Sequence, residues 1–387
     1  MRVAVVAEYY PRAADPVLGV WAHRQALAAR DAGADVRVLV LHRPVPPRAA
    51  LRSRDPRALL APLRQPLRGE LDGLRVDYVP FLAPPRPRSY GSWGAWAAPS
   101  LAVALRRLRR EFAFDLIHAH YAAPAGEAVR RARAAAPVVV SVHGGDVLSV
   151  ARGSRAGSRA VRRGLEHARI VLANSRGIAE RARELGARRT EVVHLGTDLP
   201  DPHERHSAGL VTVGHLVARK RHSDVLRALW LLRESHPDVS YDVIGDGPER
   251  AALERLADEL ELDGRVRFHG QLAPADARAA AQTAGVFVLP SVDEAFGVAY
   301  VEAMAGAVPA IGCRGEPGPE EIAAAGGGLR LVAPGDPEAL AAELRALLDE
   351  PGWRRELGDA ARATVETAFT WEQCGRATVA AYEAALR

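Results

Sequence analysis

A pair of adjacent cations, Arg219 and Lys220, lies between a short apolar segment that ends at Gly214 and a helix predicted to begin near Ser223. The first turn of a helix carries about half a positive charge, so cations beside it create a potential that suits a pyrophosphate. Lys220 is the one lysine among 52 basic residues, and arginine does not replace a compact ammonium at a tight phosphate site. We therefore interpret the pair as a phosphate-binding element, the alternative being a solvated basic turn.

Two glutamates, Glu294 and Glu302, bracket the dipeptide Phe296-Gly297 in the segment SVDEAFGVAYVEAM. Glu294 is expected on a loop between a strand and a helix, and Glu302 inside that helix. A loop carboxylate can accept hydrogen bonds from sugar hydroxyls, and the amides that open the helix can bind an anion or a hydroxyl. Taken alone, the two glutamates also fit a helix with acidic residues in its first turns.

His143 ends another predicted strand, immediately before two glycines, and Asp146 is close enough in sequence to orient it. The residues alone leave two interpretations open, a binding-site histidine and a hydrogen-bonded core histidine. His118 and His120 lie on the preceding strand, and we expect at least one of them to be structural. Three histidines without a nearby carboxylate cluster do not make a metal site, so no metal is expected.

The elements that must position these residues alternate between strands and helices on both sides of a segment at 199–208, LPDPHERHSA, which has the composition of a linker. This alternation predicts an α/β protein with two doubly wound, Rossmann-like domains that face each other across a cleft. The domains are expected at 1–200 and 206–365. A last helix is expected at 366–387, for which packing back on the N-terminal domain is one option. Ligands of such sheets bind at the carboxyl ends of the strands.

Short apolar runs that are typical of buried parallel strands locate the two sheets. The predicted strands are 3–7, 36–41, 74–79, 116–119, 138–142, 170–173, 192–194, 210–213, 241–244, 266–268 and 286–289. Residues 43–70 are rich in Pro and Arg and have little periodicity, so they are predicted to form a long loop with one short helix.

Composition removes several function classes. Two cysteines, Cys313 and Cys374, cannot build a disulfide scaffold or a four-thiolate zinc site. The single lysine is flanked by Arg219 and Arg221, which excludes a P-loop, and it is the sole candidate for a Schiff base. The first residues, MRVAVVAEYYPR, hold too short an apolar run for a signal-peptide core, and no uncharged apolar run of about 18 residues occurs. A cytoplasmic protein is therefore expected.

Charge is divided unevenly along the chain. Residues 1–200 contain 33 Arg and 17 acidic residues, a net charge of +16, whereas residues 201–387 have a net charge of −11. Attraction between two oppositely charged domains is one interpretation. The other is that the N-terminal half meets an anionic partner, because Arg106, Arg107, Arg109 and Arg110 share one helix and 152–163 holds five more arginines. Anionic lipid attracts each such residue by about 1 kcal/mol.

The segment around the two glutamates resembles the E-x7-E signature of retaining glycosyltransferases with the GT-B fold, most closely glycosyltransferase family 4, the glycosyl transferases group 1. The matching residues are Ser291, Glu294, Phe296, Gly297, Glu302, Ala303, Met304, Ala305 and Pro309, with Gly306-Ala307 in a different order from the usual pair. Other segments resemble the family in the same order along the chain. They are 114–120, 142–146, 194–198, Gly214-His215-Leu216 with Lys220, 243–248 ending in Gly245-Asp246-Gly247-Pro248, and 266–270.

The resemblance implies a role for each matching residue on the donor side. Lys220 and the arginine of a G-R-L motif would hold the donor diphosphate, beside the glycines of the two loops, Gly214 and Gly245. His215 stands in the place of that arginine, and Arg219 is expected to supply the missing charge. Glu302 would bind the ribose hydroxyls. Glu294, with the backbone of Phe296 and Gly297, would hold the donor sugar.

On the N-terminal side, the resemblance implies that His143 lines the sugar pocket and that Gly19 lets backbone approach the phosphate. The family often has a second glycine there, where this chain has Leu18. The resemblance also implies no cofactor and no obligatory metal, because cationic side chains and helix ends meet the diphosphate. Arg219, Lys220, Glu294 and His143 are thus the expected catalytic residues.

These implications predict retaining transfer of a sugar from a UDP- or GDP-sugar to an acceptor hydroxyl, in the synthesis of a cell-surface polysaccharide or glycolipid. The acceptor is expected to be either lipid-linked or acidic, at the inner face of a membrane, or a soluble small molecule. A sugar-nucleotide epimerase or a phosphorylase of the same fold is an alternative, as is a non-catalytic binding protein. A nucleic-acid partner is not expected, since aromatic residues make up 5% of the chain and no binding module is present.

Overall fold

The computed structural model describes residues 1–46, 56–86, 89–201 and 209–387. The chain divides into two compact units. Unit 1 consists of Met1–His194 and Trp371–Arg387, and unit 2 consists of Leu195–Thr370. Most of the linker predicted at 199–208, namely 202–208, lies outside the described residues.

Unit 1 is built on an eight-stranded sheet with the order β3-β4-β2-β1-β5-β6-β7-β8. All neighbours are parallel except β3 and β4, which form an antiparallel pair. The strands are β1 Arg2–Ala7, β2 Asp35–His42, β3 Arg68–Leu71, β4 Leu74–Pro80, β5 Leu116–His120, β6 Val138–Val142, β7 Ile170–Ala173 and β8 Thr190–Val192. The order reverses between β1 and β5, so the loops after these two strands border a crevice where ligands of such sheets bind.

The helices of unit 1 cover both faces of this sheet, which is why its central strands are buried almost throughout and mostly apolar. They are Val20–Asp31, Pro56–Leu60, Trp93–Glu111, Glu127–Ala132, Arg155–His167, Arg176–Glu184 and Trp371–Leu386. The last of them follows all of unit 2 in sequence and still packs in the core of unit 1. Gln25 Nε2 donates a hydrogen bond to Thr378 Oγ1 at 3.1 Å, and the hydroxyl of the buried Tyr382 lies 2.7 Å from His118 Nδ1.

Unit 2 has a six-stranded parallel sheet with the order β11-β10-β9-β12-β13-β14. Its strands are β9 Leu210–Val213, β10 Tyr241–Ile244, β11 Val266–Gly270, β12 Val286–Val288, β13 Ala310–Cys313 and β14 Leu329–Val332. Its helices are His222–Leu231, Arg250–Glu259, Pro274–Thr283, Val298–Ala305, Pro317–Ala325, Pro337–Asp349 and Pro351–Ala368. The strand order reverses between β9 and β12, which makes their carboxyl ends the switch point of this unit.

The predicted fold class, two doubly wound Rossmann-like domains, is confirmed. Several elements were missed. Strand β3 reads RGEL and is mostly exposed, so it lacks an apolar pattern, and the apolar run is interrupted by a glycine in β13, AIGC, and by an arginine in β14, LRLV. The strand predicted at 192–194 lies at Thr190–Val192 instead. Part of the long loop predicted at 43–70, residues 47–55, lies outside the described residues. Among those that are described, no helix combines the length and the apolar character needed to cross a membrane.

Candidate active site

Two loops of unit 2 leave the sheet at its switch point, one after β9 and one after β12. The first runs from Gly214 through a short 3₁₀ turn, Ala218–Lys220, into the helix His222–Leu231. The second ends at Gly297, which opens the helix Val298–Ala305. The two loops are joined directly, since Val292 N–H donates to the Arg219 carbonyl at 2.8 Å. Arg219 and Lys220 are therefore held against the loop that carries Glu294.

The centre of this arrangement is an ion pair between Lys220 and Glu294. The Lys220 Nζ lies 2.5 Å from Glu294 Oε2, and the two residues are only 9% and 7% exposed. Arg219 Nη1 lies 3.7 Å from the same oxygen, but its side chain is 45% exposed. An ammonium has three donors, and in the described part of the chain only Glu294 accepts from this one. Lys220 therefore keeps donors for a further anionic group.

Glu294 is fixed by several neighbours besides its cations. Ser291 Oγ donates to Oε2 at 2.9 Å, and the backbone N–H of Glu294 donates to Glu316 Oε2 at 2.9 Å. Gly318 N–H donates to the Glu294 carbonyl at 2.9 Å. Burial alone would raise the pKa of Glu294, but the charges of Lys220 and Arg219 outweigh it and hold that pKa below its ordinary value. Glu294 is thus a rigidly placed carboxylate at neutral pH.

Glycines let the loops of this site pack backbone against backbone. Gly245, after β10, has a φ of +138°, and a Cβ at this position would lie 2.0 Å from the Gly214 carbonyl oxygen. A Cβ at Gly247 would lie 2.3 Å from the Leu216 carbonyl oxygen. His215, in the same stretch, is exposed. Gly214 and Gly245 therefore fix the path of the chain toward Lys220, and His215 lies at its surface.

Phe296 and Gly297 have different parts in the second loop. The Phe296 ring is buried, with its centroid 5.6 Å from that of Phe369, so its side chain belongs to the core. Gly297 has a φ of +86°, and a Cβ there would lie 2.3 Å from the ring of Tyr300. Glu302 is half-buried on the helix that follows. Only the backbone of Phe296 is therefore available to hold the donor sugar, the role that the family resemblance implies.

His143 and Gly19 belong to unit 1. His143 follows β6, and its Nε2 lies 3.0 Å from Nδ1 of the buried His120, with the two rings stacked. Burial lowers the pKa of His143 to about 3. Asp146 accepts a hydrogen bond from the backbone N–H of His143 at 3.2 Å, so it orients the backbone and not the ring.

His118 is a structural residue. Its Nδ1 lies 2.7 Å from the Tyr382 hydroxyl and its Nε2 lies 2.7 Å from Ser141 Oγ, so both ring nitrogens are engaged within the core. Burial also lowers the pKa of this imidazole to about 3, which keeps it neutral. This arrangement ties strand β5 to the last helix of the chain.

Gly19 caps the helix Val20–Asp31 with a φ of +67°, and a Cβ there would lie 2.3 Å from the Tyr9 carbonyl carbon. The loop after β1 thus needs a glycine for its own packing, whether or not a phosphate approaches it.

Sequence reasoning missed the residues that contact Glu294 from distant positions in the sequence. Glu316 and Gly318 lie more than twenty positions further along the chain, and no periodic pattern connects them to the glutamate. Ser291 is part of the family motif, which is the one signal that was available for its role. Among the described residues, no group of three His, Cys, Asp or Glu side chains is arranged to hold a metal ion.

The chain is similar to known proteins along most of its length. The family Glycosyl transferases group 1 matches residues 203–364, and Glycosyltransferase Family 4 matches residues 18–201. The putative teichuronic acid biosynthesis glycosyltransferase TuaC of Bacillus subtilis is 28% identical over 95% of each chain. A GDP-mannose-dependent phosphatidylinositol monomannoside mannosyltransferase of Mycolicibacterium smegmatis is 29% identical over 72% of this chain and 78% of its own.

Solved structures show the same fold. Sucrose-phosphate synthase from Thermosynechococcus elongatus superposes with a TM-score of 0.78 at 21% identity, covering 99% of this chain and 98% of that one. HepE of Anabaena, solved with UDP and glucose, superposes with a TM-score of 0.72 at 20% identity, covering 99% and 100%. Two family matches that together span nearly the whole chain, and two Rossmann-like sheets of this topology, lead to one conclusion. The chain belongs to the group 1 glycosyltransferases and has the GT-B fold.

Proposed function

We propose that this glycosyltransferase transfers a sugar, with retention of anomeric configuration, from a UDP- or GDP-sugar to an acceptor hydroxyl during the synthesis of a cell-surface polysaccharide or glycolipid. The observation that carries the proposal is the buried Lys220–Glu294 pair at the switch point of unit 2, with Arg219 beside it. The names of two relatives, one in teichuronic acid biosynthesis and one acting on a phosphatidylinositol mannoside, support the acceptor class. The UDP and UDP-glucose in the HepE structures support the donor class.

In this proposal the donor diphosphate lies against Arg219 and Lys220. As the bond between the sugar and the phosphate breaks, negative charge grows on the leaving oxygen. Cations already in position stabilise that charge without reorganising during the reaction. Lys220 is buried and oriented by Glu294, so it acts as a fixed point charge, while the exposed guanidinium of Arg219 can reach a second phosphate oxygen.

Glu294 receives the donor sugar. Its pKa is held low by its two cations, so it remains an acceptor for sugar hydroxyls at neutral pH. The same contacts make Glu294 a poor nucleophile, because one of its oxygens is already engaged by Lys220 and Ser291. Retention therefore follows from front-face displacement. The acceptor oxygen bonds to the sugar carbon on the face that the phosphate leaves, and the leaving phosphate oxygen takes the acceptor's proton.

A panel of UDP- and GDP-sugars tests this function. We expect slow release of nucleoside diphosphate from one of them, faster release when the acceptor is supplied, and a product with the donor's anomeric configuration by proton NMR. Because Arg219 and Lys220 supply the charge, activity should persist in EDTA. Formation of an epimeric sugar nucleotide, or of a sugar 1-phosphate from inorganic phosphate, would contradict the proposal and favour an epimerase or a phosphorylase.

Replacing His143 by alanine is expected to lower turnover while leaving nucleoside diphosphate affinity near its original value. The reason is that His143 lies in unit 1, whereas Arg219 and Lys220 lie in unit 2. Calorimetry with UDP and GDP measures the affinity, and product formation measures turnover. His167→Ala, an exposed histidine of the same unit, is the control. Loss of diphosphate binding in His143→Ala would show that this residue meets the phosphate or supports the fold.

We further propose that unit 1 binds an anionic membrane surface through the helix Trp93–Glu111. Its exposed residues follow a helical stripe with an apolar part, Trp96, Pro99 and Val103, and a basic part, Arg106, Arg107 and Arg110. Trp96 and Val103 are 53% and 59% exposed. A tryptophan beside apolar and basic residues is the composition that favours the boundary between lipid head groups and acyl chains.

Two arginines of this helix have partners within unit 1. The Arg109 guanidinium lies 4.8 Å from the Phe114 ring and donates to the Ala135 carbonyl, and Arg107 Nε donates to Glu111 Oε1 at 3.1 Å.

Exchanging Arg106, Arg107 and Arg110 together for glutamine should abolish most capture by anionic vesicles. Electrostatic attraction of this kind is screened within about 8 Å at physiological ionic strength, so capture should also fall steeply with added salt. Sedimentation with anionic and neutral vesicles at two salt concentrations measures it. The matched control removes the same charge from three exposed arginines of unit 2, Arg227, Arg255 and Arg345. Equal capture by both lipids, or an equal loss in both variants, would contradict the proposal.

A further inference from the structure

Unit 1 contains a cavity of about 720 Å³ at the carboxyl ends of β1 and β2, and all the residues that line it belong to unit 1. Both the loop after β1 and the segment after β2 contribute to its wall. The charged residues that line it are Glu8, Arg12, Asp15, Arg43 and Arg86. Three guanidinium groups thus share one cavity with two carboxylates.

The three arginines are not paired alike. Arg86 Nη2 donates to both carboxylate oxygens of Glu8, at 3.1 and 3.2 Å. Arg12 Nη2 donates instead to the backbone carbonyls of Glu8 and Leu41, at 2.7 and 3.1 Å. Arg43 Nε donates to the Ala83 carbonyl at 2.8 Å. Within the described ranges, neither Arg12 nor Arg43 has a carboxylate at ion-pair distance.

Two guanidinium groups that are bound only to neutral carbonyls leave positive charge on the wall of the cavity. Burial lowers the pKa of both Arg12 and Arg43, and the charge of Arg86 lowers both further, whereas the carboxylates of Glu8 and Asp15 offset part of this effect at Arg12. An anion in the cavity would relieve this repulsion. The planar fork of a guanidinium matches the oxygens of a phosphate better than any other side chain does.

The remaining wall is partly polar, with Tyr9, His42 and Gln65, and partly apolar. Trp93 lines it, with the Arg43 guanidinium 5.3 Å above its ring, and so do Leu18, Val45, Ala61 and Pro62. Apolar side chains continue outside it on the same short segment, since Leu60 and Leu63, which flank Ala61 and Pro62, are 42% and 64% exposed. An amphiphile has an anionic group and an apolar chain. A cavity lined by arginines suits the first, and exposed leucines beside it suit the second.

We propose that this cavity binds the anionic group of the acceptor, a phosphate or diphosphate that is joined to an apolar chain. This inference rests on the proposed transferase function and names the chemical class of its acceptor. Arg12 and Arg43 contact the phosphate oxygens, and the apolar chain leaves over the segment that carries Leu60 and Leu63. A free phosphate and a lipid-linked phosphate share the first contact, so the test must separate them.

Calorimetry on the full chain carrying Lys220→Ala provides the test, because that substitution removes one of the two proposed phosphate contacts of unit 2, the buried ammonium. Three probes are compared: farnesyl diphosphate, inorganic pyrophosphate and farnesol. Farnesyl diphosphate should bind at least tenfold more tightly than pyrophosphate, and farnesol should not reach saturation. Adding Arg43→Gln should weaken farnesyl diphosphate at least tenfold. Arg37→Gln is the matched control, since this β2 arginine also lies over an aromatic ring, that of Phe112, but does not line the cavity.

Three outcomes would overturn the inference. Equal affinity for pyrophosphate and farnesyl diphosphate would leave a site for free anions. An equal effect of Arg43→Gln and Arg37→Gln would show that farnesyl diphosphate does not bind in the cavity. Binding of farnesyl diphosphate to the unsubstituted chain but not to Lys220→Ala would place the probe in unit 2. Donor hydrolysis by the unsubstituted chain is measured separately, so failure of the transferase function is distinguishable from failure of this acceptor class.

Discussion

Lys220→Ala is expected to lower the rate of sugar transfer by a factor of about 10²–10³, equivalent to about 2.7–4 kcal/mol in the barrier, as for removal of one preorganised donor to a developing oxyanion. The substitution takes away the buried ammonium that Glu294 orients. It also leaves Glu294 buried, with Arg219 at 3.7 Å as its remaining cationic partner. The chain should therefore lose thermal stability as well as activity.

Lys220→Arg separates the charge from its shape. Arginine keeps the positive charge, but its planar group does not fit the space that the Lys220 side chain occupies. That side chain is only 11% exposed, and its Nζ lies 2.5 Å from a carboxylate oxygen. We expect this variant to be impaired too, although less than the alanine variant. Steady-state turnover and nucleoside diphosphate affinity measure both effects, and Arg227→Ala, exposed on the following helix, is the control. Full activity of Lys220→Arg would refute the argument that a lysine is required here.

Gly245→Ala should damage the same site without touching a charged residue. The new methyl group would lie 2.0 Å from the Gly214 carbonyl oxygen, and Gly214 begins the loop that leads to Lys220. Overpacking costs about 1–3 kcal/mol, and a backbone conformation that L-residues rarely adopt costs a similar amount. We expect lower stability in thermal unfolding together with weaker nucleoside diphosphate binding.

Gly264→Ala is a control for this prediction. Gly264 also has a positive φ, +75°, but a Cβ there meets nothing within 4 Å. It should therefore show the backbone cost without the collision, and leave diphosphate binding unchanged. Should both alanine variants lose the same stability and keep the same affinity, contact between the two loops would not be what positions Lys220.

Much of the fold could be predicted because apolar runs such as that of β1 mark buried parallel strands directly. Strands that are exposed, or whose apolar run is interrupted, escape this signal, as β3 and β13 do. At the site, Lys220 and Glu294 could each be singled out by residue type and motif, but as separate contacts to phosphate and to sugar. Their direct pairing depends on β9 and β12 being neighbours in the sheet, which no local pattern reveals.

The sequence also could not predict that, among the described residues, Arg12 and Arg43 have no carboxylate partner at the unit 1 cavity. Arginine is by far the commonest cationic residue in this chain, so Arg12 and Arg43 look like any others. What distinguishes them is that they line one cavity while their acceptors are backbone carbonyls. Those partners are set by how the loops after β1 and β2 meet the segment around Ala83, and so they emerge only from the folded chain.

The last helix, Trp371–Leu386, imposes an order on biosynthesis. A ribosome makes residues 1–194 of unit 1 before any of unit 2, but the helix that supplies Tyr382 and Ala385 to its core is translated only after all of unit 2. Unit 2 can therefore fold while the nascent unit 1 still exposes the apolar surface that this helix covers. A chain that ends just before Trp371 would have a complete unit 2 and an unfinished unit 1, which makes it a substrate for chaperones and proteases.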